Sequence, residues 1–192
     1  MLVCLSVSLN GQSTTSIIYD NYCDLTINDT SFLFDYPAIN IVSKKLNCSP
    51  KQKKPKDVVN LSNGKSKIRD FDFRNGIVLT GDIEYRKGTF VSISINYEGK
   101  HPFRGSLIFY GFKLSGKTTF DELYKDLKFK SFLIGTTDYS SKLPSVFYST
   151  FDGRQSLKFE SINGTHYLRK VEIRNCTERQ KDRIQSDKPA KI

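Results

Sequence analysis

The sequence predicts an α+β fold of two pseudo-repeated hairpin–helix–meander units with mainly antiparallel sheet. Two stretches support this prediction, since residues 24–46 and 105–127 each have the pattern of two short strands, a turn and an amphipathic helix. Alternating apolar and polar residues follow both stretches, as in antiparallel strands. We therefore expect a first unit over residues 14–98, a joint over residues 99–104 and a second unit over residues 105–176.

Composition agrees with a folded protein rich in strands. The chain has 192 residues, enough for one substantial domain or two small ones. It contains 14 Phe and 10 Tyr, and aromatic residues favour the half-buried surface of a sheet. No apolar run approaches the roughly 20 residues that cross a bilayer, so we expect no transmembrane segment.

Residues 1–13 are apolar and then abruptly small and polar, which resembles the end of a secretory signal peptide. The basic residues that should precede such a segment are missing, and an earlier start would explain this. The alternative is a first strand. We predict the remnant of a signal peptide, and hence a secreted or periplasmic protein.

In the first unit, Leu25 and Ile27 alternate with polar residues up to the hairpin signal Asn28-Asp29. Ile39 and Val42 then recur at helical spacing. Beyond this helix we predict a mobile, lysine-rich loop over residues 49–67, because proline, glycine and like charges oppose a packed element.

The net charge of +10 is concentrated around that loop. Residues 44–69 contribute +8 and a polar, charged tail over residues 177–192 contributes +2, so the rest of the chain is neutral. Clustered bases attract anionic partners. The candidate residues for an anionic partner are Lys44, Lys45, Lys51, Lys53, Lys54, Lys56, Lys65, Lys67 and Arg69. A solvated loop is the alternative, since no aromatic residue is available here to stack on bases.

The second unit contains the strongest helix signal. Thr119 and Glu122 have the spacing of a capping box, in which each side chain accepts a hydrogen bond from the backbone N–H of the other residue. Phe120, Leu123 and Tyr124 follow at helical spacing and form one apolar stripe. Strands with turns at Asp152-Gly153 and Asn163-Gly164 complete the unit.

Three cysteines are disulfide candidates, namely Cys23, Cys48 and Cys176. None has the spacing of a zinc site. In an oxidising compartment we expect one disulfide and one remaining thiol, with all three pairings open. The alternative is three reduced cysteines in the cytosol.

No catalytic sequence pattern is present, so we predict neither an enzyme nor a bound metal or cofactor. The two histidines are His101 and His166, and four acids flank the predicted meander hairpin. The four acids are Asp70, Asp72, Asp82 and Glu84. A hydrolase with an unfamiliar site would have to use these groups.

The stretch Gly111–Thr118 ends in Gly-Lys-Thr like a phosphate-binding loop, but it lacks the parallel strand–helix context.

The layout of residues 25–46 and 105–127, with their meanders, resembles small bacterial domains found beside secreted toxin systems. This resemblance implies a non-enzymatic protein that binds another protein, such as an immunity or inhibitor protein that occludes its partner. The alternative is a binder of nucleic acid or anionic surfaces through residues 44–69. Salt-dependent binding that survives replacement of Lys51, Lys53, Lys54 and Lys56 by alanine would exclude that alternative.

Overall fold

A computed structural model describes residues 15–19, 24–32, 38–60, 64–82, 90–127, 132–138, 145–150 and 154–175. These residues form fourteen strands and two short helices. In chain order they are β1 (Ser16–Tyr19), β2 (Leu25–Ile27), β3 (Thr30–Ser31), α1 (Ile39–Lys45), β4 (Lys51–Gln52), β5 (Lys56–Asn60), β6 (Gly64–Asp72), β7 (Ile77–Asp82), β8 (Phe90–Asn96), β9 (Ser106–Phe109), β10 (Phe112–Leu114), α2 (Phe120–Leu127), β11 (Phe132–Asp138), β12 (Ser145–Thr150), β13 (Gln155–Ile162) and β14 (Thr165–Arg174).

The strands form two sheets. The small sheet has the order β10-β9-β1-β2-β3, and the large sheet has the order β11-β12-β13-β14-β8-β7-β6-β4, with β5 also paired to β6. Strand β1 pairs in parallel with β9 and antiparallel with β2. The two halves of the chain also meet in the large sheet, where β14 pairs with β8.

The prediction of an α+β fold with two repeated units is wrong, since the protein is mostly β with two sheets. The described helices have only seven and eight residues. The hairpins of both predicted units lie in the small sheet and both meanders lie in the large one. The physical reason is that an open strand edge leaves its N–H and C=O groups unpaired, so strands from the two halves pair with each other.

Strand β1 is one element that the sequence analysis did not predict. It has four residues and no strong flanking turn signal, yet it lies at the centre of the small sheet. Ile17 and Tyr19 point into the core with at most 1% exposure, while Ile18 between them is 37% exposed. This alternation is that of a half-buried strand, too short for its period to be recognised.

One hydrophobic core joins the two sheets. The large sheet contributes residues such as Phe71, Leu79 and Ile93, and the small sheet contributes residues such as Leu25 and Phe109. Buried Gln155 of β13 donates a hydrogen bond from Nε2 to Tyr19 Oη over 2.6 Å. This polar contact therefore links the two layers inside the core.

Several local predictions are confirmed. Asn28 and Asp29 both have positive φ (46° and 62°), as a tight hairpin turn requires. In the capping box, Thr119 N donates to Glu122 Oε2 over 2.8 Å and Glu122 N donates to Thr119 Oγ1 over 3.3 Å. Leu123 of α2 is buried. Neither described helix has the length and hydrophobicity to cross a bilayer.

The predicted lysine-rich loop needs correction. Of residues 49–67, the structure places Lys51–Gln52 in β4, Lys56–Asn60 in β5 and the residues from Gly64 onward in β6. Strands β5 and β6 pair antiparallel. Most of the basic segment is therefore part of the large sheet. The predicted leader at residues 1–13 and the predicted tail at residues 177–192 lie outside the described residues.

Candidate functional site: a polar groove on the large sheet

Four adjacent strands of the large sheet, β6, β7, β8 and β14, have opposite characters on their two faces. Residues such as Phe71, Leu79, Ile93 and Ile173 are fully buried on the inner face. Because successive residues of a strand point to opposite faces, the residues between them lie on the outer face. Most of these outer residues are polar: Asp70, Asp72, Thr80, Ser92, Ser94, Asn96, Lys170, Glu172 and Arg174.

The strand registers arrange these side chains in rows across the sheet. One row consists of Arg174, Ser92, Thr80 and Asp70, each residue paired with the next. The neighbouring row consists of Glu172, Ser94, Val78 and Asp72. Small side chains therefore occupy the middle of each row, and ionisable ones occupy both ends.

The result is an open groove of about 920 Å³, which we call the polar groove. Its floor includes Ser92 and Ser94, each only 7% exposed between their longer neighbours. The Asp70 wall consists of Asp70, Asp72, Lys53 and Lys56, and the Glu172 wall consists of Lys170, Glu172 and Arg174. The loop that follows β8 contributes Glu98, Lys100 and His101.

Hydrogen bonds hold Asp70 in its wall. Its Oδ2 accepts from Lys56 Nζ over 2.9 Å and its Oδ1 accepts from Thr80 Oγ1 over 2.9 Å. Burial raises the pKa of Asp70, but the hydrogen bonds from Lys56 and Thr80, with the charges of Lys56 and Lys53, lower it more. The net pKa lies below its ordinary value, so this carboxylate is ionised at neutral pH.

Glu172 is the centre of the opposite wall. Its two carboxylate oxygens accept from Lys170 Nζ over 2.8 Å and from Arg174 Nε over 3.1 Å. Burial raises the pKa of Glu172, while the hydrogen bonds and charges of Lys170 and Arg174 outweigh that effect and lower it. Two cations therefore share one carboxylate, which leaves this wall with one positive charge in excess.

Glu98 has a different electrostatic environment. Burial and repulsion from Glu160 raise its pKa, and the charges of Lys158 and Arg169 compensate only in part. Arg169 Nε lies 3.9 Å from Glu98 Oε2. Ionised Glu98 is thus held unfavourably in the folded protein.

This predicts that Glu98→Gln becomes more stable relative to wild type as the pH rises. A group whose pKa is higher in the folded state contributes stability below its unfolded pKa, ordinarily 4.5. That contribution is lost as the pH rises through the folded pKa. Glutamine does not ionise, so the variant does not undergo this loss of stability. Urea unfolding of both proteins between about pH 4 and pH 7 measures the difference.

Glu122→Gln is the matched control. The backbone hydrogen bond from Thr119, followed by the hydrogen bond from its side chain, lowers the pKa of Glu122. The stabilising contribution of Glu122 is therefore present above its unfolded pKa and lost as the pH falls. Relative to wild type, Glu122→Gln should thus become less stable as the pH rises, the opposite of Glu98→Gln. If Glu98→Gln and wild type had parallel pH profiles, the repulsion inferred at Glu98 would be wrong.

The structure divides the nine predicted anion-binding residues. Lys44 and Lys45 lie exposed in the last turn of α1, and Lys51, Lys54 and Lys67 are also exposed. Lys65 lies in β6. Two of the nine, Lys53 and Lys56, line the polar groove.

The ninth residue, Arg69, is half-buried in β6. Its Nη1 donates to Gln52 Oε1, and its buried Nε has no hydrogen-bond partner among the described residues. Lys56 pairs with Asp70. The basic residues thus do not form one free surface, because at least these two are committed to neighbours on the same sheet.

The histidines and acids considered for catalysis are only partly brought together. His101, Asp70 and Asp72 line the polar groove, whereas His166 lies in β14 with its ring 6.2 Å from that of Phe120. Asp82 ends β7, and Glu84 lies outside the described residues. In the described part of the chain, no three His, Cys, Asp or Glu residues are placed to hold a metal ion.

The segment that ends in Gly-Lys-Thr is structural. Gly111 lies in the turn between β9 and β10, with φ of 83°. Ser115 N donates to Thr118 Oγ1 over 2.9 Å, and Thr118 N donates to Ser115 O over 3.0 Å. These bonds close a turn before α2, and they use the backbone N–H groups of Ser115 and Thr118 within it.

Of the three disulfide candidates, only Cys48 lies in the described residues. It is half-buried, with Sγ 3.3 Å from the carbonyl oxygen of Phe73. Cys23 and Cys176 lie outside the description. A disulfide that includes Cys48 remains a prediction, and peptide mapping without reduction can identify its partner.

The sequence analysis missed the Glu172 wall and the serine floor. The alternation of Ser92, Ser94 and Asn96 with buried isoleucines was visible, but such alternation is ordinary for a strand with one solvated face. Only the pairing of β14 with β8 places Lys170, Glu172 and Arg174 beside these serines.

Fold and site together define a class, namely a two-sheet β protein with a mixed-charge groove on the outer face of its large sheet. No family model, curated protein or solved structure matches the chain.

Proposed function

We propose that this chain is a non-enzymatic binding protein that holds a partner protein in the polar groove. The observation that supports this most directly is the pair of prearranged charged walls on either side of a floor of small hydroxyl residues. Asp70 and Glu172 are each held by two hydrogen bonds. Side chains that are already ordered lose less entropy when a partner binds.

The character of the lining residues also favours a protein partner. Both signs of charge are present, and complementary charges give protein interfaces specificity and fast association. None of the described residues that line the groove is Phe, Tyr or Trp. Nucleic acid that binds as a single strand relies on stacking against aromatic side chains, so this lining suits it less well.

An inhibitor or immunity role is part of this proposal, because a protein that fills a partner's site needs a binding surface and no catalytic group. A secreted or periplasmic location is also part of it, based on residues 1–13 and on the predicted disulfide. Mass spectrometry of the exported protein would show whether those residues are removed.

The test is to block the groove. Ser94→Tyr places a large side chain at the centre of the floor, on the face away from the core. We expect a protein captured by the wild type from extracts of the producing cells to be lost with this variant, by about tenfold or more. Quantitative mass spectrometry of the captured material measures the loss.

Ser106→Tyr is the matched control, because Ser106 is a half-buried strand residue of β9 that does not line the groove. Thermal unfolding of both variants confirms that they fold. If the captured protein is retained equally by Ser94→Tyr and Ser106→Tyr, the groove is not the binding surface.

The alternative, a binder of nucleic acid or anionic surfaces, is supported by the exposed lysines at residues 44, 45, 51, 53, 54 and 67. It is the less favoured proposal, because Lys56 is paired with Asp70 and Arg69 with Gln52. Replacement of Lys51, Lys53, Lys54 and Lys56 by alanine should abolish salt-dependent binding to DNA, RNA or anionic vesicles if this alternative is correct.

A further inference from the structure

We infer that the polar groove takes an extended, acidic polypeptide segment, with its carboxylates set against the Glu172 wall. This inference rests on the proposed function and adds the chemistry of the partner. It follows from the distribution of charge, the dimensions of the groove and the hydrogen-bonding groups of its floor.

The charge of the groove favours an anionic ligand. Its lining includes five cations, Lys53, Lys56, Lys100, Lys170 and Arg174, against four carboxylates, Asp70, Asp72, Glu98 and Glu172. The excess of positive charge is largest at the Glu172 wall, where Arg174 and Lys170 both pair with the one carboxylate of Glu172. The side chain of Arg174 is 62% exposed. An incoming carboxylate would supply the second partner for these two cations.

The acids of the Asp70 wall already have hydrogen-bond partners, so they repel an incoming carboxylate less than free acids would. Asp70 is already occupied by Lys56 and Thr80, and Asp72 Oδ1 accepts from Arg74 N over 2.8 Å. Lys53 lies exposed on the same wall, and Lys51 and Lys54 are exposed beside it along the chain. Both carboxylates of this wall are thus partly satisfied, while the exposed side chain of Lys53 attracts acids.

The dimensions suit one extended chain. The walls stand on β6 and β14, which are separated by two strands, or about 14 Å at the usual strand spacing. The charged side chains of both walls take up part of that width, and an extended chain needs less of it than a helix, whose diameter with side chains is roughly 10–12 Å. The volume of about 920 Å³ is at the upper end for small-molecule pockets, so a longer ligand fills it better.

The floor supplies hydrogen bonds that a peptide can use. Each serine hydroxyl can donate one hydrogen bond and accept others, which matches the alternating N–H and C=O groups of an extended backbone. Ser92 and Ser94 face the groove from alternate positions of β8, and Asn96 is the next residue on the same face of this strand. Successive hydroxyls on one strand face are about 7 Å apart, the repeat of an extended peptide.

The experiment uses synthetic, fluorescein-labelled peptides and the full-length protein. Three peptides of about eight residues alternate threonine with glutamate, glutamine or lysine, which gives a length of about 27 Å at ~3.4 Å per residue. An oligothymidylate of equal charge to the glutamate peptide represents nucleic acid. Fluorescence anisotropy measures each dissociation constant at low salt and at about 0.15 M salt.

We expect the glutamate peptide to bind roughly tenfold more tightly than the glutamine peptide, and the lysine peptide to bind least. Arg174→Gln should weaken binding of the glutamate peptide by roughly fivefold, since an exposed charge is removed. Lys113→Gln removes an exposed lysine of β10 outside the groove and should leave the affinity unchanged.

Equal affinity for the glutamate and glutamine peptides, an unaffected Arg174→Gln variant or tighter binding of the oligothymidylate would each overturn the inference. These failures are distinguishable from failure of the proposed function. If Ser94→Tyr still removes the captured protein while the acidic peptide is not preferred, the groove binds a partner of different chemistry. If Ser94→Tyr removes nothing, the proposed function itself is wrong.

Discussion

Replacing Gly76 with alanine is expected to destabilise the protein by about 2–6 kcal/mol, from backbone strain of roughly 1–3 kcal/mol and a steric clash of similar size. Gly76 has φ of +84°, which side chains of L-residues rarely adopt. A Cβ atom there would lie 2.1 Å from the backbone nitrogen of Phe103 and 2.5 Å from its Cα. Neither backbone atom can move away as a flexible side chain would. Urea unfolding, or failure to obtain folded protein, measures the effect.

Gly99→Ala provides a matched control. Gly99 has nearly the same φ, +87°, but among the described residues no atom beyond its two chain neighbours lies within 4 Å of the position of a Cβ. This variant should show the backbone strain alone, roughly 1–3 kcal/mol. If Gly76→Ala costs no more than Gly99→Ala, Phe103 does not pack against Gly76 as described.

Replacing Tyr19 with alanine is expected to cost about 3–5 kcal/mol of unfolding free energy, the usual range for removing a large buried aromatic side chain. Tyr19 is 1% exposed, and its ring lies 5.8 Å from that of Phe109 and 5.6 Å from that of Tyr110. Its hydroxyl accepts the hydrogen bond from Gln155. The substitution therefore removes packing and a polar link between the two sheets together.

Two further variants separate these contributions. Tyr19→Phe keeps the ring and removes one partner of buried Gln155, at an expected cost of about 1–3 kcal/mol. Ile18→Ala changes the neighbouring residue on the exposed face and should cost clearly less than Tyr19→Ala. Urea unfolding of the three variants provides the values. A loss at Ile18 as large as that at Tyr19 would contradict the assignment of β1 faces.

Much of the local structure was predictable because it depends on neighbours in the chain. The turn at Asn163-Gly164 has φ of 52° and 82°, as the residue types indicate. The capping box at Thr119 and Glu122 depends on residues three apart. The meander β6–β7–β8 follows from period-two alternation.

The candidate site was predictable only in part. The lysine cluster drew attention to Lys53 and Lys56, which do line the polar groove. The opposite wall was not predictable, because Glu172 and Asp72 are 100 positions apart in the chain, and only the pairing of β14 with β8 places them on opposite sides of one groove. No local pattern marks one polar strand face as part of a site.

The sequence by itself determined the turns, the two helices and most of the strands, since these depend on backbone preferences and the alternation of apolar residues. Tertiary structure decided which strand edges pair. Parallel pairing of β1 with β9 joins the two hairpins, and pairing of β8 with β14 joins the two meanders. Edge pairing satisfies backbone groups that any strand carries, so its choice depends on the packing of the whole core. That choice turned two expected α+β units into one two-sheet β protein with a groove.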